Sequence, residues 1–290
     1  MSRKWAIALH GGAGPVFGRD YSREEAHIAG LLREGGRRLA EGVSALDVVE
    51  AMVAELEESG LYLAGRGAAP NSAGQYELDA AIMDGRTRNA GAVAALRGFI
   101  SPVAAARAVM ERTPHVLIVG DGARLLAKSC GLAEVDDPAG YYQPIEEDCT
   151  LPPSGGAGTV GAVALDLYGD MAAATSTGGV LSKTPGRVGD SPLIGAGTWA
   201  DERCAVSCTG LGEFFIRAAA TADVSARIRY AGATLEDAVQ GALDDVKHLG
   251  GEGGMIAVSA DGTLVANFNS GGLKRGLMDS DGRFDVATFR

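Results

Sequence analysis

Forty-three of the 290 residues are glycine, roughly twice the ~7% share usual in globular proteins. The ten prolines leave the combined fraction below the ~25–30% that marks low-complexity disorder. The glycines also sit between segments of regular apolar patterning. They must therefore serve tight turns and close backbone approaches inside a folded chain. A chain of this length buries about three-quarters of its unfolded surface, so it needs neither disulfide nor metal to fold.

Net charge argues against a polyanion as the main partner. At −11, the surface repels nucleic acid and anionic membranes. No apolar run approaches the ~18–20 residues of a membrane span. The apolar stretch after Arg3 and Lys4, Trp5 to Leu9, is shorter than the ~7–15 residues of a secretory core, so a cytoplasmic chain is expected. The four cysteines (Cys130, Cys149, Cys204, Cys208) lack disulfide-scaffold density and CxxC spacing. They read as small buried hydrophobes, and no zinc site is expected.

Residues 4–9 read as a buried strand running into HGGAG at 10–14. Ser22 with Glu25 has the spacing of a capping box for a helix to about Gly42. Ser44 with Asp47 starts a second helix with the stripe Leu46, Val49, Val53 and Leu56, ended by Gly60. Strands are expected near 76–84, 90–96 and 115–119, with a short helix at 101–112 between the last two. Residues 133–158, acidic and rich in proline, read as an exposed linker. Beyond it, 159–167 and 171–177 alternate as two strands joined at 168–170. A strand at 203–209, helices at about 213–230 and 235–249, and strands at 254–259 and 263–269 complete the set. Two helices followed by strands in each half predict segregated layers, strands packed on strands with helices outside.

Two motifs mislead. GAGTVG at 156–161 matches the dinucleotide fingerprint, but a proline-rich loop precedes it and a strand follows, where a strand and a helix are required. HGGAG has the look of a serine-esterase oxyanion loop, yet none of the sixteen serines has glycine at both −2 and +2. His10, His27, His115 and His248 form no HxxxH pair for a metal.

Without a histidine base, the junction Gly158–Thr159 becomes the focus. Cleavage there would give Thr159 a free α-amine, whose reference pKa of ~7.7–8.0 suits a general base at neutral pH. Threonine with its own amine is a recognised activated nucleophile. A turn centred near Tyr168 sets Thr177 opposite Thr159, with Cβ atoms roughly 4.5–5.5 Å apart and hydroxyls able to bond. A Thr–Thr pair that merely fills a strand surface has the same spacing. Arg187 and Asp190, in KTPGRVGDSP, match the carboxylate and ammonium of an α-amino acid, or pair with each other as a salt bridge. Thr209, Gly210 and Gly212, at a strand-to-helix junction, read either as an oxyanion hole or as ordinary helix capping.

GTVGAVA at 158–164, ATSTGG at 174–179, PGRVGDSPLIGAGTWAD at 185–201 and CTGLGE at 208–213 together resemble the plant-type asparaginase/isoaspartyl peptidase family of N-terminal nucleophile hydrolases. HGGAG, AGRG at 64–67, ELDAAIMDG at 77–85 and AGAVAAL at 90–96 extend the likeness over nearly the whole chain. The resemblance implies an αββα sandwich, an α+β fold in four layers, forming one domain that cleaves itself between Gly158 and Thr159. The products, an α subunit 1–158 and a β subunit 159–290, would stay packed together and dimerise as (αβ)2.

By the same resemblance Thr159 is nucleophile and base, and Thr177 orients it. Arg187 binds the substrate α-carboxylate and Asp190 its α-ammonium. Thr209 and Gly210 stabilise the oxyanion, and Gly212 lines the pocket. Substrates would be β-aspartyl dipeptides and L-asparagine, with no cofactor required and a structural sodium ion in the loop 56–67 of some members. A glycosylasparaginase-like amidase and an uncleaved, inactive binding homologue are the alternatives. Two departures stand out: Leu63 replaces an asparagine common in the family beside the nucleophile, and Leu273-Lys274 replaces a Met-Tyr pair.

Overall fold

A computed structural model describes residues 4–144 and 158–290. In chain order the first part holds β1 (Ala6–Ala13), α1 (Ser22–Ala40), α2 (Ala45–Glu58), β2 (Leu78–Asp84), β3 (Ala90–Leu96), α3 (Pro102–Arg112), β4 (Leu117–Val119), α4 (Gly120–Ser129) and α5 (Pro138–Tyr141). The second part holds β5 (Thr159–Leu165), β6 (Met171–Thr177), β7 (Thr198–Ala200), β8 (Cys204–Gly210), α6 (Gly212–Ala218), α7 (Ala220–Ala231) and α8 (Leu235–His248). It ends with β9 (Gly253–Ser259), β10 (Leu264–Phe268), β11 (Leu273–Asp279) and β12 (Phe284–Ala287).

The strands form an eight-stranded sheet, ordered β12-β11-β1-β5-β6-β2-β3-β4, and a four-stranded sheet, ordered β10-β9-β8-β7. Among the paired strands of the described residues only β3 and β4 run parallel. Strand alternation divides the core into layers. Ile7, Leu9, Val160, Ala162, Ala172 and Ala174 face α1, α2 and α3. Their neighbours Ala6, Ala8, Val163, Leu165, Met171 and Ala173 face the second sheet. Cys204, Val206 and Cys208 point out of that sheet into the apolar face of α7 and α8. The expected segregation into helices, sheet, sheet and helices is present, and Cys204 and Cys208 are buried there without disulfides, whereas Cys130, expected to be buried, is exposed at the end of α4.

Local caps explain several element boundaries. Ser44 accepts from the Asp47 N–H and starts α2, Ser101 caps α3 and Thr234 caps α8. The Ser22 capping box does not form. Ser22 is already helical, and Asp20 Oδ1 accepts its N–H at 2.9 Å. The helix expected over 213–230 is broken at Ala219, which adopts φ 47°. The break is held because Thr221 and Ala222 donate their N–H groups to the carbonyls of Ala196 and Gly195. Helix α4 and strands β4, β7, β11 and β12 complete the fold; of these only β4 falls within an expected segment.

Of the proline-rich stretch, 133–144 holds α5 and Tyr142, which is buried and stacked on Tyr76 at 3.9 Å. The part 145–157, with Cys149 and the first two residues of GAGTVG, lies outside the described residues. No helix among the described residues is long and apolar enough to cross a membrane.

Candidate active site

The hairpin register follows the sequence arithmetic: β5 and β6 pair Thr159 directly with Thr177. Both side chains lie on the face between the sheets and are nearly inaccessible, at 4% and 3% exposure. Their hydroxyls do not bond each other as expected. The Thr177 hydroxyl donates to the Gly158 carbonyl at 2.9 Å and accepts the Gly179 N–H at 2.9 Å. A hydroxyl has one proton, and here it is directed at the carbonyl of the Gly158–Thr159 peptide.

Gly158 is required sterically. A Cβ there would lie 2.0 Å from Leu63 Cβ, and Leu63 is itself buried, with its carbonyl held by the Gly178 N–H. The alkyl side chain of Leu63 thus packs against the residue preceding the candidate nucleophile.

Gly158, Thr159, Thr177, Arg187, Asp190 and Gly210 line one small cavity with Gly179, Val180, Gly189 and Ser191. Its free volume is about 10 Å³, room for a single water. A larger hollow of about 660 Å³ between Tyr76, Arg97, Arg124 and Tyr142 contains none of these groups, so size alone does not locate the chemistry.

Asp190 and Arg187 are not bonded to each other. Asp190 is buried, its Oδ2 has no hydrogen-bond partner, and burial raises its pKa to about 7 despite the nearby Arg187 charge. Gly212 at the start of α6 makes room for it, since a Cβ there would sit 2.8 Å from Asp190 Oδ1. Arg187 turns instead to Glu213, with Nε–Oε1 at 2.9 Å and Nη2–Oε2 at 3.0 Å. This bidentate carboxylate contact has the form that a substrate α-carboxylate would make.

Thr209 faces the same inter-sheet space from β8. Its hydroxyl oxygen accepts the Ala13 N–H at 3.1 Å, which leaves its proton for another acceptor. Sequence reasoning missed several neighbours. Asp79 pairs with Thr177 across β2 and β6; burial raises its pKa to about 6 and lowers that of Lys183, whose ammonium donates to the Glu77 carbonyl at 2.7 Å. The sequence signal for Asp79 was a carboxylate inside the otherwise apolar run Leu78–Met83; Lys183, in a loop, had none. Leu273 joins the core between the sheets and Lys274 lies over the Tyr21 ring; neither lines the cavity. No group of three or more His, Cys, Asp or Glu that could hold a metal occurs among the described residues.

A two-sheet sandwich with a buried threonine at a strand start, facing a donor hydroxyl and a matched carboxylate and guanidinium, defines a site suited to acyl transfer at an amino-acid-like substrate. The chain belongs to the asparaginase family, whose profile matches residues 3–288. It is 45% identical to an isoaspartyl peptidase of Salmonella typhimurium, over 94% of each chain. It is 41% identical to a probable isoaspartyl peptidase/L-asparaginase of Arabidopsis thaliana, over 98% of each. It is 40% identical to the isoaspartyl peptidase/L-asparaginase of Mus musculus, over 91% of this chain and 85% of that one.

Proposed function

We propose that this protein is a cytoplasmic N-terminal nucleophile hydrolase of β-aspartyl dipeptides and L-asparagine, and that its single domain matures by cutting itself into 1–158 and 159–290. The observation that carries the reading is the Thr177 hydroxyl donating to the Gly158 carbonyl. A donor on that oxygen stabilises the charge that develops when Thr159 Oγ1 adds to the carbonyl carbon. The C–N bond then breaks as the Thr159 nitrogen takes a proton, and water hydrolyses the resulting ester. The products are a Gly158 carboxylate and a free Thr159 amine. The cavity's small volume supports the same order of events: with Gly158 attached there is no space for an amino acid.

In the mature site the amine takes the Thr159 hydroxyl proton, and Oγ1 attacks the substrate's side-chain β-carbonyl. Thr209, with its proton uncommitted, and the backbone at Gly210 stabilise the oxyanion. The leaving ammonia or peptide amine is protonated, and water cleaves the β-aspartyl ester. Arg187 exchanges Glu213 for the substrate α-carboxylate. Asp190, whose Oδ2 is buried without a partner, receives the α-ammonium, and Gly212 keeps that carboxylate accessible.

No step requires a cofactor. A sodium ion in the loop 56–67 would be held by backbone carbonyls, since the loop's buried carboxylate, Glu57, is occupied by the Ser101 hydroxyl and Val103 N–H. Association as (αβ)2 belongs to the same proposal and is read by sedimentation. Assaying β-aspartyl dipeptides beside L-asparagine and N-acetylglucosaminyl-asparagine tests the substrate class. Turnover confined to the glycosylated amide would favour the glycosylasparaginase alternative. Leu63 is the one feature favouring an uncleaved binding homologue, which would bind amino acids without turnover.

A further inference from the structure

The HGGAG segment has no part in the scheme above except through Ala13. Its histidine nevertheless reaches the candidate nucleophile. Strands β1 and β5 pair from Ala6–Leu165 to His10–Gly161 and then stop. Continued pairing would set Gly12 opposite Thr159. Instead β1 turns away, with Gly12 at φ 108° and a register shift against β11 between His10 and Ala13. The turn delivers the Ala13 N–H to Thr209 on the other sheet and leaves Thr159 without a main-chain partner on β1. A buried carbonyl needs a replacement, and His10 Nδ1 lies 3.1 Å from it.

The partners fix the tautomer. A carbonyl oxygen only accepts, so Nδ1 carries the proton. The ring is completely buried and neutral, burial lowering its pKa to about 3. Nε2 is therefore bare and accepts from the Ser207 hydroxyl at 2.9 Å. With its proton committed, Ser207 accepts from Thr175 at 2.7 Å, and Thr175 lies 2.7 Å from the Thr198 hydroxyl, whose one proton also has the Ser191 carbonyl within reach at 3.0 Å. All four side chains are fully buried, where such a chain polarises each bond in one direction. Gly161 makes the crossing possible: a Cβ there would stand 2.1 Å from Ser207 Oγ and 2.4 Å from His10 Nε2.

We infer that His10 is a positioning residue for Thr159, resting on the proposed nucleophilic role of that threonine. When the link to Gly158 is cut, Thr159 loses its covalent anchor on one side. The imidazole grips its carbonyl and so fixes the direction in which its amine and hydroxyl point. The same segment holds Thr209 through Ala13, which ties nucleophile and oxyanion donor to one short run of backbone across the two sheets.

Nitrogen-15 NMR of the wild-type protein, with the His10 signal assigned through His10→Asn, tests the tautomer directly. A neutral ring protonated at Nδ1 from about pH 5 to 8 is expected; an Nε2-protonated ring, or one that titrates in that range, overturns the inference. Kinetics per mole of cleaved chain give the second arm. His10→Leu lowers kcat by ~10- to 100-fold with KM unchanged, the scale set by a misplaced reacting group. His10→Asn, whose amide nitrogen reaches the Nδ1 position, recovers most of the loss, whereas His10→Gln, which reaches the Nε2 position, does not. Equal kcat in the leucine and asparagine variants reduces His10 to packing. If the wild-type protein hydrolyses neither β-aspartyl dipeptides nor L-asparagine, the functional reading falls, and the tautomer still decides the contact with Thr159.

Discussion

The two ends of the space between the sheets are built from the same strands and do opposite things. At one end β1, β5, β6 and β8 contribute Ala6 and Ala8, Leu165 and Val163, Met171 and Ala173, and Ala205. Two and four residues further along the same faces the strands contribute His10, Thr159, Thr175, Thr177, Ser207 and Thr209, all buried. The apolar end holds the sheets together by removing area from water, at roughly 25 cal/mol per Å². The polar end has no such term and must satisfy its groups with one another, since each unpaired one costs about 1–3 kcal/mol. Most are satisfied. Asp190 Oδ2, Ser191 Oγ and Asp79 Oδ2 are not, and the residues of the first two line the cavity. A sandwich can thus carry chemistry at one end because the other end supplies its cohesion.

Substitutions at the two ends should separate accordingly. The largest effect is expected from Thr159→Ala, which leaves one uncut chain without hydrolytic activity; a cut or active variant breaks the contrast at its centre. Asp190→Asn should raise KM for substrates with a free α-ammonium on the order of 30-fold or more, the ~2 kcal/mol or more that loss of a buried charge partner costs. The pH dependence of Asp190 has a definite sign. Its folded pKa of about 7 lies above the ordinary 3.8, so its contribution to stability is full below pH 3.8 and is lost as pH rises through 7. Ammonium binding needs the charged form, so KM should rise as pH falls below about 7. Steady-state kinetics and thermal melts across pH 5–8 read both directions.

Gly161→Ala forces a methyl group into the His10–Ser207 contact and should cost about 1–3 kcal/mol by overpacking, seen in a denaturant midpoint, together with a lower kcat. Glu213→Gln should lower KM by ~2- to 5-fold, because a half-exposed ion pair is worth up to about 1 kcal/mol and the substrate no longer competes with it for Arg187. The smallest effect on activity belongs to the apolar end. Leu165→Ala, level with Ala6 in the paired strands, should lose about 2–5 kcal/mol of stability with kcat unchanged; an altered kcat would show that the two ends are mechanically linked.

How far the sequence reveals this contrast depends on the range of each interaction. The Thr159–Thr177 register was legible because a short turn at 168–170 and strict alternation fix which residues face each other. The cap at Ser44 was legible for the same local reason. Helix α4, which starts at Gly120 with no side-chain cap and keeps only Ala123 and Ala127 buried, has almost no local signature. The break at Ala219 depends on carbonyls of Gly195 and Ala196, which only the tertiary fold brings near. The same holds in the site. Arg187 and Asp190 could be named as a matched pair, but not that Glu213 would hold the arginine. His10 stood out only as an isolated histidine, since its partners Thr159 and Ser207 are far along the chain.

Intact mass spectrometry of the purified wild-type protein tests the central claim most directly. The account predicts two species, residues 1–158 and 159–290, with the second beginning at a free threonine amine. A single full-length species that hydrolyses β-aspartyl dipeptides would contradict it.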